Sequence, residues 1–174
     1  MSQISSECGL SIGAIYANFS DKADLARYVA SKLFDWRIAD LESMADGDVA
    51  PTPLDVLRLL LGSMADQNRP APSVILQFWS KASVDDDLRA VLNEQVGRLR
   101  DGVEQALRAW ADQQSGGDGA ALARRTASAC MIIGQGFLAN RGLFGWLDAE
   151  EYLETVAFAL GSGNPSCHDR LTHA

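Results

Sequence analysis

The sequence predicts an all-α protein, with a short N-terminal pair of helices followed by a larger helical body. Three observations carry that prediction. Apolar residues recur at spacings of three and four along most of the chain, the period of a helix with one buried face. Val, Ile and Thr never cluster in the alternating runs that strands require. Helix start and stop signals recur between the periodic segments.

The elements follow in order. QISSEC and IGAIYANF read as two short helices joined at Gly9. From Lys22 to about Met44, Leu25, Val29, Leu33, Ile38 and Leu41 mark one face of a long helix, which DGDVAP ends. In the next helix Thr52 is placed as N-cap, Pro53 as first helical residue and Asp55 as the carboxylate of a capping box. RPAP precedes a shorter apolar helix over residues 73 to 83. Asp85, Asp86 and Asp87 open a long amphipathic helix, their charge favourable at its N-terminal dipole. Its stripe runs through Leu88, Val91, Leu92, Gln95, Leu99, Val103, Ala106, Leu107 and Trp110 to QSGGDG. Residues 120–141 are apolar nearly all round, with Ala127, Ser128, Ala129, Gly134 and Gly136 interspersed. Asp148 and Glu151 introduce a last helix, closed by GSGNP. The expected division is 1–44 for the head and connecting helix, 45–163 for the body and 164–174 for a frayed tail.

At 174 residues the chain can bury a core without covalent staples. Its three cysteines, Cys8, Cys130 and Cys167, are odd in number and far apart, so no disulfide framework is expected. With no membrane-length apolar run and no signal-peptide pattern, a cytoplasmic protein is the simplest expectation. The net charge of −8 argues against a surface that wraps nucleic acid along its length. Residues 1–35 set Lys22, Arg27 and Lys32 against Glu7, Asp21, Asp24 and Asp35, so charge alone points to no DNA.

The local pattern points elsewhere. GLSIGAIYANFSDKADL places a glycine turn at Gly9, a capping Ser11 and small residues at the start of a short helix. Small residues let a helix N-terminus approach base edges, and its dipole favours phosphate. Gly9, Leu10, Ser11, Gly13, Ala14, Ile15, Tyr16, Phe19, Lys22 and Leu25 fall in register with the helix-turn-helix signature of bacterial regulators, and the stretch resembles that of the tetracycline-repressor (TetR) family. The resemblance implies that Ser11, Ile12, Gly13 and Ala14 lie in the major groove and that Tyr16, Asn18 and Lys22 hold phosphates. It further implies a ligand-sensing body that dimerises through its last two helices, here residues 120–141 and 149–160, on a palindromic operator of double-stranded DNA. Family members carry one helix before this motif, whereas the chain starts inside the motif's first helix. The expectation is a truncated helix-turn-helix, with a start downstream of the true one favoured over trimming or degeneration because the recognition residues are intact.

In the body, Phe78, Trp79, Trp110, Met131 and Phe137, with Gln77, Asn93 and Gln135 as polar anchors, are candidates for a small, mostly apolar effector. Taken singly, each reads more readily as plain core, since apolar stripes at helical spacing usually are. Taken together, they have the composition of a small-molecule site. No metal, cofactor or catalytic constellation is expected, since His168 and His173 both fall in the tail and Cys167 beside His168 matches no zinc spacing. The functional expectation is a ligand-responsive dimeric repressor. The alternative is a dimeric helical small-molecule- or partner-binding protein that does not touch DNA.

Overall fold

The computed structural model describes residues 19–20, 22–65, 72–145 and 148–159. Among them are seven helices and no strand: α1 (Lys22–Ala45), α2 (Pro53–Ala65), α3 (Pro72–Ala82), α4 (Asp86–Ala106), α5 (Arg108–Ser115), α6 (Ala120–Leu143) and α7 (Ala149–Ala159). The all-α class is thus observed. The two-helix motif of residues 1–18 and the tail from residue 160 lie outside the described residues.

α1 begins where Asp24 accepts hydrogen bonds from the Ser20 backbone N–H at 3.1 Å and the Ser20 hydroxyl at 3.2 Å. Its buried face is Ala30, Phe34, Arg37 and Leu41, at steps of four, three and four. That differs from the expected stripe. Val29 and Ile38 are only half-buried against the core, and the Leu33 side chain lies outside the described residues. α1 packs chiefly on α4, and this neighbour turns the helix so that Phe34 and Arg37 face inward.

The capping box at α2 forms as expected. The Thr52 backbone N–H and hydroxyl donate to the Asp55 carboxylate at 2.9 and 2.6 Å, and Asp55 N–H donates back to the hydroxyl at 3.3 Å. These bonds hold the Asp55 carboxyl below its ordinary value, opposed in part by desolvation and aided by Arg58. Val56, Leu57, Leu60 and Leu61 then bury one face of α2. At α4, Asp85 is the N-cap and accepts from Leu88 N–H at 3.1 Å. The buried stripe of α4 is the expected one, with Leu88 half-buried at its start.

The single helix expected through Trp110 is two. Leu107 interrupts it and α5 follows, although Leu107 N–H still bonds Val103 and Ala111 N–H still bonds Leu107. The interruption lets Leu107 and Ala111 both be fully buried while α5 packs on α6. Gly116, with a φ of 66°, ends α5 in the left-handed region that glycine adopts without penalty.

α6 is the central element and packs against α2, α3, α4 and α5. Two of its glycines, Gly136 and Gly142, sit where other parts of the same chain come close. A Cβ on Gly136 would come 2.9 Å from the Tyr152 hydroxyl of α7, and one on Gly142 would meet α3 at Leu76 and Pro72. The small residues at these two positions therefore admit neighbouring helices of the same chain.

Candidate ligand-binding site

A cavity of about 50 Å³ lies between five helices. Phe34 and Arg37 come from α1, Leu60 and Met64 from α2, Ile75 and Trp79 from α3, and Val96 and Leu99 from α4. α6 supplies Cys130, Met131, Gly134, Gln135 and Leu138. The walls are almost wholly apolar. Gly134 leaves open space, for a Cβ there would meet nothing within 4 Å.

Two polar groups stand out. Arg37 is 3% exposed, and its guanidinium carbon sits 4.3 Å from the centre of the Trp36 ring, a cation–π contact. Cys130 is buried, and its thiol points at the Pro53 carbonyl, with sulfur and oxygen 3.9 Å apart. Burial pushes that thiol up to about 11, so it is protonated and unreactive near neutrality.

Beside the cavity lies an outer cleft of about 330 Å³ lined by Ser83, Arg89 and Asn93, and sharing Trp79, Val96 and Gln135 with the inner cavity. Its arginine is engaged in the α3–α4 turn. Arg89 Nε donates to the Ala82 carbonyl at 3.2 Å, one terminal nitrogen to the Ser83 carbonyl at 2.9 Å, and the other pairs with Asp86 at 2.7 Å. A wider groove of about 590 Å³ between α4 and α6 is polar, and its charges pair internally, Arg100 with Asp101 and Arg124 with Glu104.

Of the residues expected at a ligand site, Trp79, Met131 and Gln135 line the inner cavity, and Asn93 lines the cleft. The others stand apart. Gln77 is exposed, Phe78 and Trp110 pack half-buried against the core, and Phe137 is fully buried with its ring 5.3 Å from that of Tyr152. Tyr152 in turn donates its hydroxyl to the Ile133 carbonyl at 2.9 Å, and desolvation raises its pKa. Periodicity alone identifies core faces, and cannot separate a core residue that meets another side chain from one that meets a void. Arg37 carried the clearer signal, a basic residue in step with Ala30, Phe34 and Leu41.

The residues expected to meet DNA, Ser11, Ile12, Gly13, Ala14, Tyr16 and Asn18, lie outside the described residues, as does the side chain of Lys22. The described residues begin at Phe19. Phe19 stacks at a tilt on Tyr28 of α1 with ring centres 5.2 Å apart. Among the described residues no cluster of His, Cys, Asp and Glu could hold a metal ion, and no helix is long and apolar enough to cross a membrane.

Fold and cavity together define a helical domain in which five helices, α1 among them, wall an apolar chamber. The comparison with known families gives that class its place. Residues 53–158 match the domain described as BetI-type transcriptional repressor, C-terminal, and the chain belongs to the TetR family of transcriptional regulators. Neither the curated proteins nor the solved structures gave a match.

Proposed function

We propose that this TetR-family chain is a ligand-responsive repressor that binds a palindromic DNA operator as a homodimer. The observation that carries the reading is the course of α1. Its first turns are joined to the end of the recognition motif through Phe19–Tyr28 and Ser20–Asp24. Its middle walls the cavity with Phe34 and Arg37, and Leu41 anchors its far end in the core. A helix of 24 residues spans about 36 Å and moves as a rod. A ligand that displaces Phe34 or Arg37 therefore shifts the recognition motif. The ligand acts only to the extent that it prefers one α1 position over the other.

The surfaces of α6 and α7 support the dimer. Ile132 and Leu143 are each 68% exposed and stand eleven residues apart, three helical turns, so they share a face of α6. Phe158 of α7 is 80% exposed. Large apolar side chains left this open on α6 and α7 support a partner-facing surface there. In the dimer Ser11, Ile12, Gly13 and Ala14 of each protomer enter the major groove, with Tyr16, Asn18 and Lys22 on phosphates. Half-sites then sit about 34–36 Å apart or at a multiple of that distance.

The test is selection of random duplex DNA by the full chain, with Tyr16→Ala as the matched variant. Recovery of a palindrome that the variant loses is the expected result. A folded dimer that enriches no sequence overturns the DNA-binding reading and leaves a helical ligand-binding protein.

A further inference from the structure

We propose that the inner cavity and the outer cleft are two ends of one binding site for an uncharged amphipathic molecule. Its apolar end lies inward, its amide- or hydroxyl-type head lies outward, and Trp79 is the movable divider between the two. The inference rests on the ligand-responsive reading above and specifies what the ligand is.

Size is the first argument. The inner cavity of about 50 Å³ holds little more than a few waters, whereas small-molecule sites occupy roughly 300–1,000 Å³. The adjoining cleft contributes about 330 Å³, which brings the pair into that range. The two share Trp79, Val96 and Gln135 as walls, so displacement of the half-buried indole of Trp79 joins them.

Chemistry is the second argument, for the lining changes character along the site. The inner end is apolar and dry in composition, which suits an alkyl or aromatic group. The outer end sets the amides of Asn93 and Gln135 beside apolar Ala82 and Leu92. The Ser83 hydroxyl there donates to the Ser80 carbonyl at 2.7 Å and is left to accept. Amides both donate and accept hydrogen bonds, and so match a neutral head that does the same. Arg89 does not call for an anion, because each of its nitrogens already meets a carbonyl or the Asp86 carboxylate. Inside, the Arg37 guanidinium is stacked on Trp36.

The test is calorimetric titration of the full chain with hexanamide, octanamide and octanoate. Burying a methylene contributes enough that octanamide binds about fifteenfold more tightly than hexanamide. Gly134→Val fills the inner end where the glycine leaves open space, and weakens octanamide at least tenfold while the melting temperature holds. Should that variant melt early, Met131→Phe fills the same end from a neighbouring position. Asn93→Leu weakens octanamide at least threefold and leaves the chain-length dependence unchanged. Trp79→Ala accelerates association in stopped flow at least fivefold.

Octanamide binding that ignores both cavity-filling variants, or no binding of any of the three at millimolar concentration, overturns the proposal. Octanoate binding tenfold more tightly than octanamide also overturns it, by placing the head inside against Arg37. Failure of the repressor reading looks different. In that case octanamide binds as described and operator affinity does not change. An operator-binding dimer indifferent to all three compounds sinks only the site.

Discussion

Cys130 shows how position decides the chemistry of a side chain. A thiol raised to about 11 is ionised in roughly one molecule in a thousand at pH 8, and the thiolate is the nucleophile. Iodoacetamide at pH 8 is therefore expected to leave the Cys130 peptide unmodified in the native protein and to label it in urea. Native labelling seen by mass spectrometry would mean that the α6 wall opens readily. At the other end of the same contact, the Thr52–Asp55 box closes the start of α2. Thr52→Ala is expected to cost about 1 kcal/mol, the usual effect of losing an N-cap, in urea unfolding at pH 7. The pH dependence has a definite sign. Because the folded Asp55 carboxyl titrates below its ordinary 3.8, its stabilising contribution is present above that value and is lost as pH falls through the folded one. The gap between wild type and variant should accordingly narrow below about pH 4. A gap unchanged at pH 2.5 would show that the hydroxyl acts without the carboxylate.

Glycines on either side of one helix start show that a substitution takes its sign from the packing of the elements. Gly119 precedes α6, and a Cβ there would collide with the main chain at Ala111 and Asp112 of α5. The Asp112 carboxylate also accepts from Gly119 N–H at 2.7 Å, so the turn has no room to give. Gly119→Ala is expected to destabilise by about 1–3 kcal/mol, as overpacking does. Gly134 lies in the middle of α6 facing open space, and alanine has the higher helix propensity. Gly134→Ala is expected to stabilise by up to about 1 kcal/mol. Equal effects of the two in thermal unfolding would contradict the α5–α6 approach described here. The ion pair between Asp35 of α1 and Arg98 of α4, at 3.3 Å and half exposed, adds little to how these two helices hold together. Their joint rests on the apolar face of α1.

For the whole molecule, the surface of α6 and α7 is the feature with a consequence in solution. Replacing Ile132 and Phe158 together by Asp puts two carboxylates on the exposed apolar surface proposed for the dimer contact. The expected result is a monomer in sedimentation equilibrium with unchanged helical circular dichroism. A persistent dimer would move the interface to another face. The same variant should lose operator affinity far more than Tyr16→Ala loses dimerisation, since two heads at the right spacing are what a palindrome reads. If the proposed operator contacts form, binding should weaken steeply between low and physiological salt, because phosphate contacts release counterions.

Much of this was legible in the sequence because the signals are local. The capping box at Thr52, the acidic start of α4 and its buried stripe depend on residues three or four apart, and the backbone alone brings those together. The family, too, was legible from the order of residues between Gly9 and Leu25, and the match over residues 53–158 reaches it independently. Three things were decided only by tertiary packing. The inward face of α1 was turned by its contact with α4, which put Phe34 and Arg37 where the apolar spacing did not. The break at Leu107 arose because two successive segments bury against different parts of the core. The membership of the cavity, Trp79, Met131 and Gln135 but neither Phe78 nor Phe137, was set by which side chains from five helices fail to meet. A helix's own sequence specifies its period and its ends. Its rotation about its axis, and the voids left between it and its neighbours, belong to residues far away in the chain.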